Sequence, residues 1–136
     1  MTPIFSNELQ SAIYDALTND ATITSLVGSA IYDATPSGTL PGTFILIGED
    51  SVFDRSDKTH SAANYFIRIS VVTTASGFGG AKTIAAGICN VIEEANLSLA
   101  NGHLRRIEFR RAIAKRNNAG TERKIDLIFR AFIEQE

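Results

Sequence analysis

The sequence predicts a single α+β domain in which helices pack on one face of a mostly antiparallel β-sheet. With 136 residues, the chain has the size of one globular domain and is too short for two ordinary ones. Its apolar residues recur at helical spacing in some segments and alternate with polar residues in others. Two long alternating segments follow each other near the carboxyl end, which favours antiparallel pairing. We therefore expect residues 1–136 to share one core.

Two helices and a turn-rich segment occupy the first third of the chain. Apolar residues fall at helical spacing over residues 7–17, with Ser6 or Asn7 available as the N-cap. A short second helix is expected between Asp20, a capping residue, and Gly28, a stop signal. After a brief extended segment, the proline- and glycine-rich residues 36–42 predict turns.

The middle of the chain is predicted to contain two strands separated by a long loop. Residues 43–47 are long enough for a buried strand but too few for a buried helix, and this strand is expected to end at Gly48. Residues 49–63 are mostly charged or small, which predicts a long loop or a protruding hairpin. A segment of this length is expected to be either mobile or used for contact. Residues 64–74 alternate, and Arg68 among apolar neighbours indicates a face that is not wholly buried.

A long helix is predicted over residues 81–95, where apolar residues form one stripe. The glycine-rich residues 77–80 precede it, and a strand, a turn and a helix N-terminus in this order can hold phosphate. A P-loop needs a glycine next to its lysine, however, and Ala81 separates Gly80 from Lys82. We therefore interpret this segment as a plain strand-to-helix turn.

The last third of the chain is predicted to form two strands joined by a loop at residues 117–121. In the final strand, every second residue from Ile125 to Ile133 is apolar. The residues between them are more mixed and include Asp126, Ile128, Arg130 and Phe132. In the strand before it, alternation assigns Ile107 and Ile113 to the same face. The opposite face is assigned Arg106, Glu108 and Arg110.

The net charge of −2 conceals an uneven distribution along the chain. Residues 1–68 contain 8 Asp/Glu and 3 Lys/Arg, whereas residues 69–136 contain 7 Asp/Glu and 10 Lys/Arg. The unequal charge of the two halves has two interpretations. It is either a random distribution over a solvated surface, or it marks two oppositely charged faces that meet within the fold or between copies. The basic residues could also neutralise DNA phosphates, but aromatic residues are sparse among them and the pI near 5.7 opposes strong attraction.

Residues suited to catalysis or metal binding are few. The single Cys89 excludes an internal disulfide and has no histidine near it in sequence, which favours an inert thiol. His60 and His103 lack acidic or cysteine neighbours at ligand spacing. The longest apolar run, residues 44–47, is far shorter than the roughly 20 residues of a membrane helix. We expect no enzyme activity, no cofactor, no metal ion and no membrane partner.

Several segments together resemble a family of phage and prophage tail-completion or tail-terminator proteins that is also present in gene transfer agents. The resembling segments are residues 9–17 (LQSAIYDAL), 23–28, 31–33, 40–41, 47–50 (IGED), 57–59 (DKT) and 81–86 (AKTIAA). This order of motifs is uncommon, and the likeness runs from about residue 9 to the final strand. The chain departs from the family pattern at residues 42–44 and by lacking an aromatic residue near Arg55.

The resemblance implies a structural virion protein that caps the end of the tail tube as a ring, commonly a hexamer. Such a ring ends tube growth and forms the interface to the head-side connector, in a particle assembled in the host cytoplasm. The implied partners are other copies of this chain, the tail tube protein, the head-tail connector proteins and DNA passing through the channel. A closed ring uses a heterologous interface, which an acidic and a basic region would serve.

On this reading we expect two groups of contact residues. The residues expected to face a neighbouring subunit or the channel are Arg106, Arg110 and Arg130. The residues expected to form a loop that contacts the tube or the connector are Asp54, Arg55, Asp57 and Lys58. The alternative is a small nucleic-acid-binding module that uses the basic carboxyl-terminal strands.

Overall fold

The computed structural model describes residues 5–35 and 37–135 and contains three helices on one face of a five-stranded sheet. The helices are α1 (Ser6–Thr18), α2 (Ala21–Val27) and α3 (Gly79–Glu94). The strands are β1 (Ile31–Tyr32), β2 (Thr43–Asp54), β3 (Ala62–Thr73), β4 (Gly102–Arg116) and β5 (Arg123–Gln135). Their spatial order is β1-β2-β3-β5-β4; β1 pairs with β2 in parallel and the other pairs are antiparallel. The predicted fold class is confirmed. Pro36, in the predicted turn segment, lies outside the described residues.

The hydrophobic core lies between the helices and the sheet face that they cover. α1 buries Leu9, Ile13 and Leu17, because residues at this spacing fall on one side of a helix. The core-facing residues of β5 alternate from Ile125 to Ile133, as the sequence predicted. The sheet surface away from the helices is called the open face below. On β5 it carries Lys124, Asp126, Ile128, Arg130, Phe132 and Glu134.

The predicted ends of α2 are confirmed, whereas the predicted cap of α1 is wrong. Asp20 Oδ2 accepts a hydrogen bond from the backbone N–H of Ile23 at 3.0 Å, and Gly28 ends the helix with a φ of 61°. The N-cap of α1 is Phe5, which makes no side-chain capping bond, and the helix already includes Ser6. Because Phe5 is buried in the core, packing holds this helix end in place of a polar cap.

β2 does not end at Gly48 as predicted but continues to Asp54. Its register with β3 shifts between Ile47 and Asp50, and Glu49 has a φ of 53°, which marks a β-bulge. Beyond the bulge the polar residues pair with β3, so the cross-strand partner decides their conformation more than their own composition does. The hairpin alternative for residues 49–63 is thus confirmed, with a turn at residues 55–61.

A bulge in β4 also changes which side chains share a face. The register with β5 shifts between Phe109 and Arg111, and an extra residue reverses the faces of the side chains that follow. Ile113 therefore lies opposite Asp126 on the open face. The prediction that Ile113 shares a face with Ile107 is wrong, because the bulge interrupts the alternation between these two residues.

Candidate functional site

The open face brings together side chains that are far apart in sequence, because the strand register aligns four strands in rows. One row consists of Phe53, Asn64, Phe132 and Arg106. The next row consists of Ser51, Phe66, Arg130 and Glu108. The sheet thereby sets the basic residues of β4 and β5 beside the β2–β3 hairpin.

The three arginines that the sequence singled out, Arg106, Arg110 and Arg130, gather around the carboxylate of Glu108. Arg130 donates two hydrogen bonds to Glu108 Oε1, one of them from Nε at 2.9 Å. Arg110 Nη1 and Arg106 Nε lie 3.9 Å and 4.0 Å from the same oxygen. The hydrogen bond from Arg130, followed by the charges of the three arginines, lowers the pKa of Glu108 against a smaller opposing effect of burial. The group remains positively charged overall, with three guanidinium groups to one carboxylate.

Sequence reasoning did not single out Glu108 as a site residue. Alternation along β4 did place Arg106, Glu108 and Arg110 on one face, and this pattern was the available signal. The pairing of Glu108 with Arg130 on β5 depends on the strand register, which the alternation alone does not specify.

A pocket on the open face joins part of the predicted contact loop to these arginines. Its volume is about 270 Å³, and it is lined by Arg55, Asn64, Arg106, Arg130 and Phe132. The guanidinium carbon of Arg106 lies 5.0 Å from the centre of the Phe132 ring, a cation–π arrangement. Asn64 Oδ1 is buried and has no hydrogen-bond partner among the described residues. We call this site the arginine pocket.

The remaining residues of the predicted contact loop do not line this pocket. Asp57 Oδ1 accepts hydrogen bonds from the backbone N–H groups of Thr59 and His60, at 2.9 Å and 2.7 Å, and thereby folds the turn. These two bonds lower the pKa of Asp57. Asp54 Oδ1 accepts a hydrogen bond from the Ser56 hydroxyl at 2.8 Å. Lys58 is exposed in the turn.

A second charged cluster on the open face centres on Asp126, which sequence analysis did not single out. Its side chain is only 1% exposed. Ser70 Oγ donates a hydrogen bond to Asp126 Oδ1 at 2.6 Å, and the ammonium nitrogens of Lys115 and Lys124 lie 3.4 Å and 3.6 Å from the carboxylate oxygens. Burial alone would raise the pKa of Asp126, but the Ser70 bond and the two lysines outweigh it and lower the pKa.

The two edges of the sheet carry opposite charge. Beside β1, Asp15 and Asp33 line a cavity of about 300 Å³ together with Tyr14, whose side chain is 38% exposed. On β4, Arg111 is exposed and Phe109 is 41% exposed. Within the described part of the chain, neither these two aspartates nor Arg111 forms an ion pair. We call Tyr14, Asp15 and Asp33 the acidic edge, and Phe109, Arg110 and Arg111 the basic edge.

Cys89 and Lys82, which could serve as a nucleophile and as a phosphate ligand, each interact with other groups on α3 or next to it. Cys89 is half-buried, and burial followed by the charge of Glu93 raises the pKa of its thiol. Lys82 lies over the ring of Phe78, with its ammonium nitrogen 5.8 Å from the ring centre. Over residues 5–35 and 37–135, no three histidine, cysteine or acidic side chains are grouped to hold a metal ion. No helix in the same ranges is long and apolar enough to cross a membrane.

Comparison with known proteins supplies the context for this geometry. The family model described as "Tail completion protein gp17" matches residues 11–134. A chain in a solved structure titled "Virion of native gene transfer agent (GTA) particle" is 42% identical to this one and superposes with a TM-score of 0.92. That match covers 98% of this chain and 99% of the other. No curated protein matches the sequence. The family resemblance drawn from the sequence is confirmed: the chain belongs to the tail completion protein gp17 family, a family of structural proteins of the virion tail.

Proposed function

We propose that this chain works as one subunit of a closed ring that caps the end of the tail tube, ends tube growth and forms the interface to the head-side connector. The ring is proposed from one observation: acidic residues of α1 and of the segment after β1 lie beside one edge strand, and basic residues lie on the opposite edge strand, β4. A head-to-tail ring requires two different complementary patches on each subunit. The acidic edge and the basic edge meet that requirement.

The chemistry of the two edges suits contact between protein subunits. The planar guanidinium group of Arg111 can bind an aspartate carboxylate through two parallel hydrogen bonds. Each edge also exposes one aromatic ring, Tyr14 on one side and Phe109 on the other. Aromatic and arginine side chains are enriched in the central contacts of protein interfaces. Tyr14 and Asp15 belong to α1 and Asp33 follows β1, whereas the basic edge belongs to β4. The packing of α1 on the sheet therefore fixes how far apart the two edges lie.

The two predicted groups of contact residues have distinct places in this proposal. Arg110 belongs to the basic edge, and Arg106 and Arg130 lie beside it on the open face, where the three arginines face the next subunit or the channel. The turn at residues 55–61 projects from one end of the sheet. A subunit whose strands run along the ring axis would direct this turn, with Arg55 and Lys58, toward the tube or the connector.

The observations favour protein contact over a nucleic-acid-binding module. The carboxylates interleaved with the basic residues of the open face are Glu49, Glu108, Asp126 and Glu134. Binding to a DNA backbone depends on an excess of positive charge along the phosphates, and each of these carboxylates reduces it. The net charge of the chain is −2, which further opposes DNA binding.

The test is the mass of the assembled protein under native conditions, combined with imaging of tails. Arg111→Glu is expected to shift the assembly from rings to single subunits at low salt, with a smaller effect at high salt because ions screen exposed charges. Asp33→Lys in the same chain restores one oppositely charged pair between positions 33 and 111 and is expected to recover rings. Lys82→Glu is the matched control, because it makes the same charge change on the helix layer.

Two outcomes would contradict the proposal. Rings of Arg111→Glu that persist equally at low and high salt would remove the charged edges as the interface. Particles produced without this chain are expected to have tubes of variable length that remain unjoined to capsids. Tubes of normal length on joined particles would remove the capping role.

A further inference from the structure

The arginine pocket has the properties of a binding site, and neither the family nor the ring requires it. We propose that it receives a glutamate or aspartate side chain from an acidic peptide segment of the protein that adjoins the ring on the side to which the turn at residues 55–61 points. This inference depends on the proposed ring only for the protein that supplies the acidic segment. The pocket itself belongs to a single subunit and is complete without a second copy.

The charge of the pocket favours an anion. Arg55, Arg106 and Arg130 converge on one cavity, and Glu108 contacts Arg130 closely. Arg106 Nε is 4.0 Å from that carboxylate, and Arg55 has no ion pair in the part of the chain that the structure describes. Three cations brought together with one carboxylate repel each other, and an added anion relieves this repulsion.

The shape of the pocket orients its donors. The guanidinium carbon of Arg106 lies 5.0 Å from the centre of the Phe132 ring. A guanidinium group that packs on an aromatic face can still donate hydrogen bonds from the N–H groups around its rim. Asn64 is half-buried, and its Oδ1 atom is buried and without a partner among the described residues. The two ends of an amide exchange on rotation by about 180°, so the same position can present an N–H₂ donor to a bound carboxylate.

A carboxylate suits this site better than the phosphates of a nucleic acid. A volume of about 270 Å³ accommodates one side chain, whereas a duplex needs a row of cations along its backbone. Arg130 already binds a carboxylate, that of Glu108, through two of its nitrogens. Glu134 continues the negative charge beyond the pocket, where it pairs with Arg105. A phosphate backbone that followed the strands would meet these carboxylates.

Glu108 acts in this proposal as an internal competitor. It occupies Arg130 in the free subunit and thereby limits the positive charge offered to an incoming side chain. Replacing it with glutamine keeps the size of the side chain and removes the charge. Glu108→Gln should therefore bind an acidic peptide more tightly than the unaltered protein does.

The experiment is a titration of the isolated protein with an acetylated tri-glutamate peptide at low salt, monitored by the NMR signals of the arginine Nε–H groups. The signals of Arg55 and Arg106 are expected to shift in a saturable way. Arg106→Gln should weaken binding by about tenfold, as expected for the loss of a charge-assisted bond in a pocket, and Glu108→Gln should strengthen it by several-fold. Lys82→Gln, which removes one charge from the helix layer, should leave it unchanged.

Three results would overturn the inference. The first is the absence of saturable shifts at Arg55 and Arg106. The second is an equal loss of affinity in Arg106→Gln and Lys82→Gln, which would show a response to net charge alone. The third is tighter binding of inorganic phosphate or duplex DNA than of the peptide at the same arginines. Peptide binding reports on the pocket and native mass reports on the ring, so failure of the pocket and failure of the ring are distinguishable.

Discussion

Replacing Asp126 with asparagine should destabilise the protein at neutral pH and have a much smaller effect at acid pH. The carboxylate is buried on the open face and accepts a 2.6 Å hydrogen bond from Ser70. Two ammonium groups, from Lys115 and Lys124, lie within 4 Å of it. Asparagine keeps the shape and one acceptor but removes the negative charge, so the change isolates the contribution of that charge.

The expected magnitude follows from these contacts. A hydrogen bond to a charged acceptor contributes roughly 1 kcal/mol more than one to a neutral acceptor. Each partly exposed lysine pair adds about 0.5 kcal/mol. Burial of the charge opposes these gains, but the pKa of Asp126 is lowered, which means that the attractions outweigh the burial. We therefore expect Asp126→Asn to lower the free energy of unfolding by about 1–2 kcal/mol near neutral pH.

The sign of the pH dependence is set by the direction of the pKa shift. A carboxyl group whose pKa is lower in the folded than in the unfolded chain stabilises the fold above the unfolded pKa, near 3.9 for aspartate. This stabilisation is lost as the pH falls through the folded pKa. The difference between the original protein and Asp126→Asn should therefore shrink once the pH drops below about 4.

Urea unfolding at about pH 7 and about pH 3 measures both quantities. Asp33→Asn serves as the matched control, because it makes the same chemical change at an exposed aspartate and should alter the free energy of unfolding little. The reasoning fails if Asp126→Asn is as stable as the original protein at neutral pH. It also fails if the difference is undiminished in acid, since the charge would then not be its source.

Three further predictions concern local structure. Asp20→Ala removes the N-cap of α2 and should cost about 1 kcal/mol in urea unfolding; an unchanged midpoint would show that the cap contributes nothing. Gly102→Ala places a Cβ about 3.1 Å from the Phe5 ring and should lower the melting temperature, whereas Gly80→Ala, with open space around it on α3, should not. Because burial raises the pKa of Cys89, a thiolate-directed reagent should label the native protein more slowly than the urea-unfolded chain, and equal rates would contradict this.

Local residue patterns were sufficient to identify β5 and the ends of α2. β5 could be identified because every core-facing position from Ile125 to Ile133 is apolar, although Ile128 and Phe132 on the open face are apolar as well. α2 could be bounded because Asp20 and Gly28 act within one turn of the helix ends. α1 had no such polar signal, since its cap is the buried Phe5, whose role depends on the core packed around it.

The bulges could not be predicted in the same way. Glu49 adopts a positive φ, which glycine or asparagine would have signalled more clearly. In β4, the bulge after Phe109 reverses the faces of the residues that follow, and no proline or glycine marks it. A β-bulge is defined by an extra residue relative to the partner strand, so the alternation within one strand cannot reveal it.

By itself, the amino-acid sequence determined the α+β class, the family and the segregation of acidic and basic residues along the chain. These depend on residue type and spacing, which are local properties. The tertiary structure alone decided that Glu108 lies at the centre of the arginines of the open face, that Arg55 joins them across the hairpin and that Asp126 is buried beneath two lysines. Each of these contacts joins strands through their register, and register is chosen by the packing of the whole sheet against its helices.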